Sequence, residues 1–185
     1  MLFLATLIFR GVAIELRNKE EMYWWRQMWD VVYSVTSVML AFLLGIVLQG
    51  IAVGPDYLYE GAGFFEFLNP YSLLTGISSL LLFMTHDAIY LVLKTEGRLF
   101  ERFGKLFVAG TILFVTCLIA TGIYTMHALP HVFRPFSASP SLGVLPLVAG
   151  LSVANTPRLV YKGRYRQAFV FSSLSIATLI ATVLP

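Results

Sequence analysis

The sequence predicts an all-α, polytopic transmembrane helical bundle with five full spans and one partial N-terminal span. Hydrophobic residues make up 58% of the 185 residues and charged residues only 12%, roughly half of the charged share of an ordinary soluble domain. The charges are also grouped. They leave five uncharged, mostly apolar runs at Val31–Pro55, Phe67–His86, Leu106–Phe133, Pro135–Pro157 and Gln167–Pro185.

Each of these runs is long enough to cross a bilayer, because roughly 18 or more apolar residues span a hydrocarbon core of about 30 Å as a helix. Only helices and closed barrels satisfy their own backbone hydrogen bonds in lipid. The runs lack the two-residue alternation of barrel strands. We therefore predict one transmembrane domain, 1–185, with spans near 1–9 (partial), 31–53, 70–93, 106–126, 142–160 and 167–185.

The N-terminal segment does not resemble a signal peptide, because the apolar Met1–Phe9 precedes the first positive charge, Arg10, instead of following one. At about 1.5 Å per residue this segment reaches about 13 Å, less than half of a bilayer core. We expect the chain to begin inside a span, either as a fragment or as a gene model started at an internal methionine.

The basic residues predict the orientation in the membrane. Along the chain, the segments between spans carry four, none, four, one and four Lys or Arg residues, so twelve of the thirteen fall on one side. The positive-inside rule assigns that side to the cytoplasm. The formal charge of +3 is explained by this topology and does not indicate nucleic-acid binding.

Aromatic side chains are expected at both membrane interfaces. All three tryptophans, Trp24, Trp25 and Trp29, fall on the predicted cytoplasmic side, and the cluster from Tyr57 to Tyr71 falls on the other. Such rings prefer the headgroup level, so we interpret both groups as anchors. A stacking site for a quinone or nucleotide is the alternative.

Two helix faces of small residues predict close helix contacts, because lipid removes the hydrophobic force and tight packing replaces it. Gln49 ends the first face and is placed to hydrogen-bond across it. These faces would pack against other helices of the chain or against a partner subunit. The faces are Ser37, Ala41, Gly45 and Gln49 on the second span, and Ser173, Ala177 and Ala181 on the last.

His86 and Asp87 are the clearest candidates for chemistry, since ionisable groups at membrane depth are costly unless paired or hydrated. They precede the end of the third span by six or seven residues, about 10 Å along a helix. Lys94 lies two turns on, on roughly the same face. One interpretation is a snorkelling pair with His86 bonded to a neighbouring carbonyl. The other is a proton-access or cofactor-contact site, although one histidine is weak evidence for a haem ligand.

Other polar residues favour structural roles. Arg10, Glu15 and Arg17 are placed to form a geometry-fixing ion pair near a helix end, and Asp30 is placed to cap the second span. His127 and His131 have metal-ligand spacing but are separated by Pro130, without a third ligand. The lone Cys117 excludes an intramolecular disulfide and is interpreted as a small core residue. We predict no metal site and no catalytic residue.

Several strings of the sequence resemble subunit II of cytochrome bd-type quinol oxidases, in family order and over nearly the whole chain. The most specific are FRGVAIELRNKEEMYWWRQMWD and FFEFLNPYSLLTG. Shorter matches are LQG, LKTEGRL and AFVFSS. The family's subunit is similar to this chain with about two further helices in front and at least one behind. Two positions depart from the family: Gly11 stands where proline is usual, and Asp87 where glycine is usual.

The resemblance implies a required but non-catalytic subunit that ligates no haem. It would form a heterodimer with a haem-bearing subunit I, which holds haem b and haem d and oxidises quinol while oxygen is reduced. It would lie in a bacterial or archaeal cytoplasmic (inner) membrane, with its basic loops in the cytoplasm. The matching positions are expected to be structural or interface residues: Arg10, Glu15, Arg17, Trp29, Asp30, Asn69, Pro70 and His86. The alternatives are a secondary transporter or proton-conducting protein using His86 and Asp87, and a structural protein of another complex.

Overall fold

The computed structural model describes residues 1–53, 69–128 and 143–183. Within these ranges the chain forms six α-helices and no strand, which confirms the predicted all-α class. In chain order the helices are α1 (Leu2–Arg17), α2 (Tyr23–Val53), α3 (Pro70–Lys94), α4 (Arg98–Ala128), α5 (Val144–Tyr161) and α6 (Tyr165–Val183).

Three helices begin or end beyond the boundaries predicted from the apolar runs. Helix α1 continues past Arg10 to Arg17, α2 begins at Tyr23 instead of residue 31, and α4 begins at Arg98 instead of residue 106. The apolar runs mark only the lipid-exposed part of each helix, whereas the hydrogen-bonded backbone extends through the charged residues beyond it. Asp30 consequently lies well inside α2, so its predicted role as an N-cap is wrong.

Helix α3 is central to the bundle, since it contacts α2, α4 and α6. Its start matches the sequence: the Asn69 side chain accepts a hydrogen bond from Ser72 N at 2.7 Å, and Pro70 occupies the first turn, where a missing N–H has no cost. Its last residue, Lys94, is followed by a three-residue turn in which Gly97 has φ +65°, a conformation that favours glycine.

The predicted small-residue face of α2 packs directly on α3. A Cβ atom on Gly45 would lie 2.6 Å from both Ser79 Cβ and the Thr75 carbonyl oxygen, so only glycine fits there. One turn to either side, Ser79 Oγ donates to the Ala41 carbonyl at 2.9 Å and, as predicted, Gln49 hydrogen-bonds across the interface. These contacts bring the two backbones close together, as small residues do in membrane bundles.

The contact register shows that consecutive helices run antiparallel. Between α3 and α4, Tyr71 contacts Thr125 and Ser78 contacts Thr121. The residue numbers rise along α3 as they fall along α4, so the two helices are antiparallel. On α1 and α2, Arg10 contacts Tyr33 and Arg17 contacts the earlier Asp30. Helices α5 and α6 pack together and are joined by three residues.

Three connections therefore lie at one end of the bundle: 18–22, 95–97 and 162–164. We call this the basic end, because Lys or Arg residues flank each of these connections. They are Arg17, Lys19, Arg26, Lys94, Arg98, Lys162, Arg164 and Arg166. Next to this end, a small apolar core joins four helices through Ala88, Ile89, Phe107, Leu159 and Ala168.

Three of the helices are long and apolar enough to cross a membrane: the segments Tyr23–Ile51, Pro70–Lys94 and Arg98–His127. The sequence predicted five full spans, and the last two are not confirmed by this criterion. Helix α5 carries Asn155, Pro157 and Arg158 near its end, and α6 is rich in serine and threonine, which lowers the apolar content of both. The predicted small-residue face of α6 is not its buried face: Ala177 is exposed, whereas Ala168, Ser172 and Ser175 are buried.

Candidate functional site

His86 lies on α3 and faces α6. Its Nδ1 atom is 2.9 Å from Ser172 Oγ, and its ring stacks on Phe169 with centroids 4.7 Å apart. The Ser172 Oγ atom also lies 2.9 Å from the Phe169 carbonyl oxygen of its own helix. The predicted backbone-carbonyl partner is therefore wrong; the histidine instead joins two helices through a side-chain hydroxyl.

Asp87, the next residue, points to a different part of the bundle. It lines a cavity of about 310 Å³ between α1, α2 and α3, together with Arg10 of α1 and Ser37 of α2. Within the described residues, Asp87 makes no hydrogen bond and no ion pair, and Lys94 is exposed and unpaired with it. The structure therefore separates the two candidates: His86 contacts α6, whereas Asp87 faces α1 and α2.

Arg10 lies half-buried where α1 crosses α2. Its Nη2 atom donates to Tyr33 Oη at 3.2 Å, and its guanidinium lies 5.2 Å from the centre of the Tyr33 ring. Glu15, the expected partner, is exposed and forms no ion pair among the described residues. Arg10 is thus held by an aromatic hydroxyl and ring face, an arrangement that suits the planar guanidinium.

Arg17 and Asp30 hold the basic end of α1 against α2. Arg17 Nε donates to Asp30 Oδ1 at 2.6 Å, with both side chains about half exposed. Next to this pair, Trp25 Nε1 donates to the Leu16 carbonyl at 2.7 Å. The Trp29 ring contacts Trp25 edge-on, and its Nε1 atom is buried without a hydrogen-bond partner in the described structure.

Polar contacts also cross the opposite half of the bundle. Ser72 Oγ donates to Gln49 Oε1 at 2.6 Å, with both side chains buried. Tyr71 Oη lies 2.9 Å from Thr125 Oγ1. These contacts border a mainly apolar cavity of about 200 Å³ between α2, α3, α4 and α6. Sequence analysis singled out Gln49 but missed Ser72, Ser172 and Tyr33, since isolated hydroxyls are common in membrane helices and carry no spacing signal.

The remaining candidate residues offer few groups for catalysis or metal binding. No group of three His, Cys, Asp or Glu side chains in the described ranges is arranged to hold a metal ion. Cys117 is a half-buried free thiol on α4, and His127 is exposed at the end of that helix. His131 and the outer aromatic cluster, except Tyr71, lie outside the described residues.

Comparison with known proteins identifies the family. The family model for cytochrome bd terminal oxidase subunit II matches residues 1–184. The chain belongs to this family. The resemblance carried by the sequence strings is thereby confirmed, and the transporter alternative is not favoured.

Curated relatives agree with this assignment. The chain is 28% identical over 215 residues to "Cytochrome bd-I ubiquinol oxidase subunit 2" of Escherichia coli K12, covering 98% of this chain and 57% of the relative. The same identity and coverage relate it to "Probable cytochrome oxidase subunit 2" of Haemophilus influenzae. "Cytochrome bd ubiquinol oxidase subunit 2" of Bacillus subtilis is 31% identical over 110 residues, or 57% of this chain and 32% of the relative. The chain thus spans little more than half the length of the first two relatives.

Proposed function

We propose that this chain acts as subunit II of a cytochrome bd-type quinol:oxygen oxidoreductase of the aerobic respiratory chain. The observation that carries the proposal is the family match over residues 1–184. In this proposal the chain ligates no haem and takes no part in bond breaking. It supports a haem-bearing subunit I, which holds haem b and haem d and oxidises quinol.

The distribution of apolar side chains supports a role in assembly. Large hydrophobic residues are exposed along several helices, including Leu4 and Ile8 on α1, Ile112 and Ile119 on α4 and Leu151 on α5. Faces of this kind need lipid or another apolar helix against them. A subunit that covers its partner's haems and separates them from lipid would use such faces.

The proposed topology is that of a multi-pass protein of a bacterial or archaeal inner membrane, with the basic end in the cytoplasm. Helices α5 and α6 would also cross the membrane, giving five full spans in one transmembrane domain. Their 18 and 19 residues reach about 27–29 Å, close to the thickness of the bilayer core. The positive-inside rule supports the orientation.

Within this assembly, the site residues have supporting roles. Arg10, Arg17 and Asp30 would fix α1 against α2, while Asn69 and Pro70 would fix the start of α3. Glu15, an exposed charge, would meet the partner subunit, whereas Trp29, whose ring packs on Trp25, would support the local structure. His86 and Asp87 are polar residues within a membrane span.

The test is to purify the protein carrying this sequence from its native membrane in mild detergent, through an affinity tag. We expect a large membrane partner to co-purify, with haem b and haem d bands in the reduced-minus-oxidised visible spectrum and with quinol-driven oxygen consumption. The same chain expressed without the partner should be colourless. A colourless preparation from the native membrane, without a membrane partner, would refute the proposal.

A further inference from the structure

Two opposite charges lie at the same depth in the bundle. Arg10 precedes the end of α1 at Arg17 by seven residues, and Asp87 precedes the end of α3 at Lys94 by seven. Both helices end at the basic end. At about 1.5 Å per residue, both charged groups therefore lie about 10 Å from it, within the depth where an isolated charge is costly.

A single cavity connects the two groups. It lies between three helices, has a volume of about 310 Å³ and is large enough for several water molecules. Its walls combine the two charges and a serine with apolar side chains. The principal lining residues are Phe3 and Arg10 of α1, Ser37 and Leu44 of α2, and Phe83 and Asp87 of α3.

Neither charge is neutralised by a direct contact. The hydrogen-bond partner of the Arg10 guanidinium in the described structure is the hydroxyl of Tyr33, not a carboxylate. Asp87 has no hydrogen-bond or ion-pair partner among the described residues. The Arg10 guanidinium and the carboxyl of Asp87, which is exposed, line the walls of one partly polar cavity. Opposite charges placed in this way attract each other, and water can connect them.

We propose that this cavity is a hydrated charge-pair site, in which an ionised Asp87 is the counter-ion of Arg10 through bridging water. Asp87 is then a positioning residue that holds α3 against α1 and neutralises Arg10. Arg10 and Asp87 would then balance each other's charge within this chain. The inference requires helices α1, α2 and α3 to lie in the membrane, and it does not depend on quinol oxidation.

His86 is separate from this site despite being the preceding residue. Its ring stacks on Phe169 and bonds Ser172, both on α6, whereas the cavity is lined by α1, α2 and α3. Removing the His86 imidazole should therefore leave the lining of the cavity unchanged. A His86→Ala variant is the matched control for the experiments on Asp87.

Water in the cavity can be tested without altering either charge. In a Cys117→Ala background, Ser37→Cys places a thiol in the cavity wall, and Val38→Cys places one on the adjacent outward face, where the native side chain is 52% exposed. Methanethiosulfonate reagents react with the thiolate, which forms only where water is present. In native membranes we expect a small charged reagent to modify Ser37→Cys at least about tenfold faster than Val38→Cys. Equal rates, or an unreactive Ser37→Cys, would overturn the proposal.

The charge pair can be tested with Arg10→Gln, Asp87→Asn and the double variant in the purified complex. Each single change should lower the midpoint of thermal unfolding, and the double change should recover at least about half of the summed loss, because neither charge is then left alone. His86→Ala combined with Arg10→Gln should show no such recovery. Additive losses in the Arg10–Asp87 pair would contradict the pairing.

Infrared difference spectroscopy provides an independent readout of the carboxyl. The wild-type complex and Asp87→Asn should have the same protonated-carboxyl bands, because the proposal has Asp87 ionised in the wild type. A band present in wild type and lost in Asp87→Asn would show that Asp87 is neutral and would overturn the proposal. Haem content and oxygen consumption, measured on the same samples, report separately on the proposed function.

Discussion

Replacing Gly45 by alanine should force α2 and α3 apart. The added Cβ would lie 2.6 Å from Ser79 Cβ and from the Thr75 carbonyl oxygen, and 2.9 Å from Gly76 Cα. These atoms belong to the backbone or are bonded directly to it, so no side-chain rotation can relieve the contact. Ordinary van der Waals contact begins near 3.4 Å, so the helices must separate locally by roughly 0.8 Å.

The expected loss in the free energy of unfolding can be estimated from the contacts that this separation breaks. A shift of roughly 0.8 Å would stretch the 2.9 Å bond from Ser79 Oγ to the Ala41 carbonyl beyond hydrogen-bonding distance. Overpacking costs about 1–3 kcal/mol, and a lost hydrogen bond adds about 1 kcal/mol. Alanine is favoured over glycine in a helix by about 1 kcal/mol. We therefore expect Gly45→Ala to lower the free energy of unfolding by about 1–3 kcal/mol.

The control is Gly122→Ala on α4, where an added Cβ meets nothing within 4 Å; it should leave stability unchanged or raise it. Gly76→Ala should fall between the two, because its added Cβ meets the Phe42 ring, which can turn. The assay is the fraction of purified complex that remains monodisperse by size-exclusion chromatography after heating. If Gly45→Ala were as stable as Gly122→Ala, the close α2–α3 contact would be refuted.

Three further substitutions test local interactions by the same assay. Ser72→Ala leaves the buried Gln49 carbonyl without its donor and should cost about 1–3 kcal/mol; adding Gln49→Leu should recover part of that loss. Asn69→Ala removes the cap of α3 and should cost about 0.5–2 kcal/mol. Arg17→Ala breaks the exposed pair with Asp30 and should cost less than about 1 kcal/mol, with a smaller effect at high salt.

Two of these changes have a matched control variant, and Arg17→Ala is checked by its salt dependence. Ser34→Ala removes an exposed hydroxyl that bonds only a carbonyl of its own helix, so it should leave stability unchanged. Asn69→Ser retains a capping oxygen and should preserve most of the stability lost in Asn69→Ala. The reasoning on Ser72 would fail if Ser72→Ala matched Ser34→Ala, and that on Arg17 if its loss did not depend on salt.

The helical class and the packing face of α2 could be predicted because each has a periodic signal, whereas the helix that meets this face, α3, could not. Apolar runs mark helices that lie in lipid, and glycine or alanine at every fourth residue marks one face. Gly45 and Gln49 were found in this way, and both lie in the interface. The starts of α2 and α4 were missed because charged segments continue as helix beyond the apolar run, a continuation that hydropathy does not report.

The arrangement of the candidate site could be predicted only in part. Asp87 was found as a charge at membrane depth and Arg10 as part of an ion pair near a helix end, but 77 positions separate them in the chain and no local spacing links them. Their meeting depends on the antiparallel order of α1, α2 and α3. The separation of His86 from Asp87 is likewise a consequence of helix geometry, because adjacent residues on a helix point about 100° apart.

The short connections at the basic end have a consequence for how the protein is made. They divide the chain into three helical hairpins, α1–α2, α3–α4 and α5–α6, each packed along its own length. A hairpin can enter the bilayer as a unit because its partners are neighbours in synthesis. Helix α3 then assembles the units, since it contacts α2 of the first hairpin and α6 of the third. The chain is therefore organised as separable modules, and co-expressed pieces divided between hairpins should reassemble around α3.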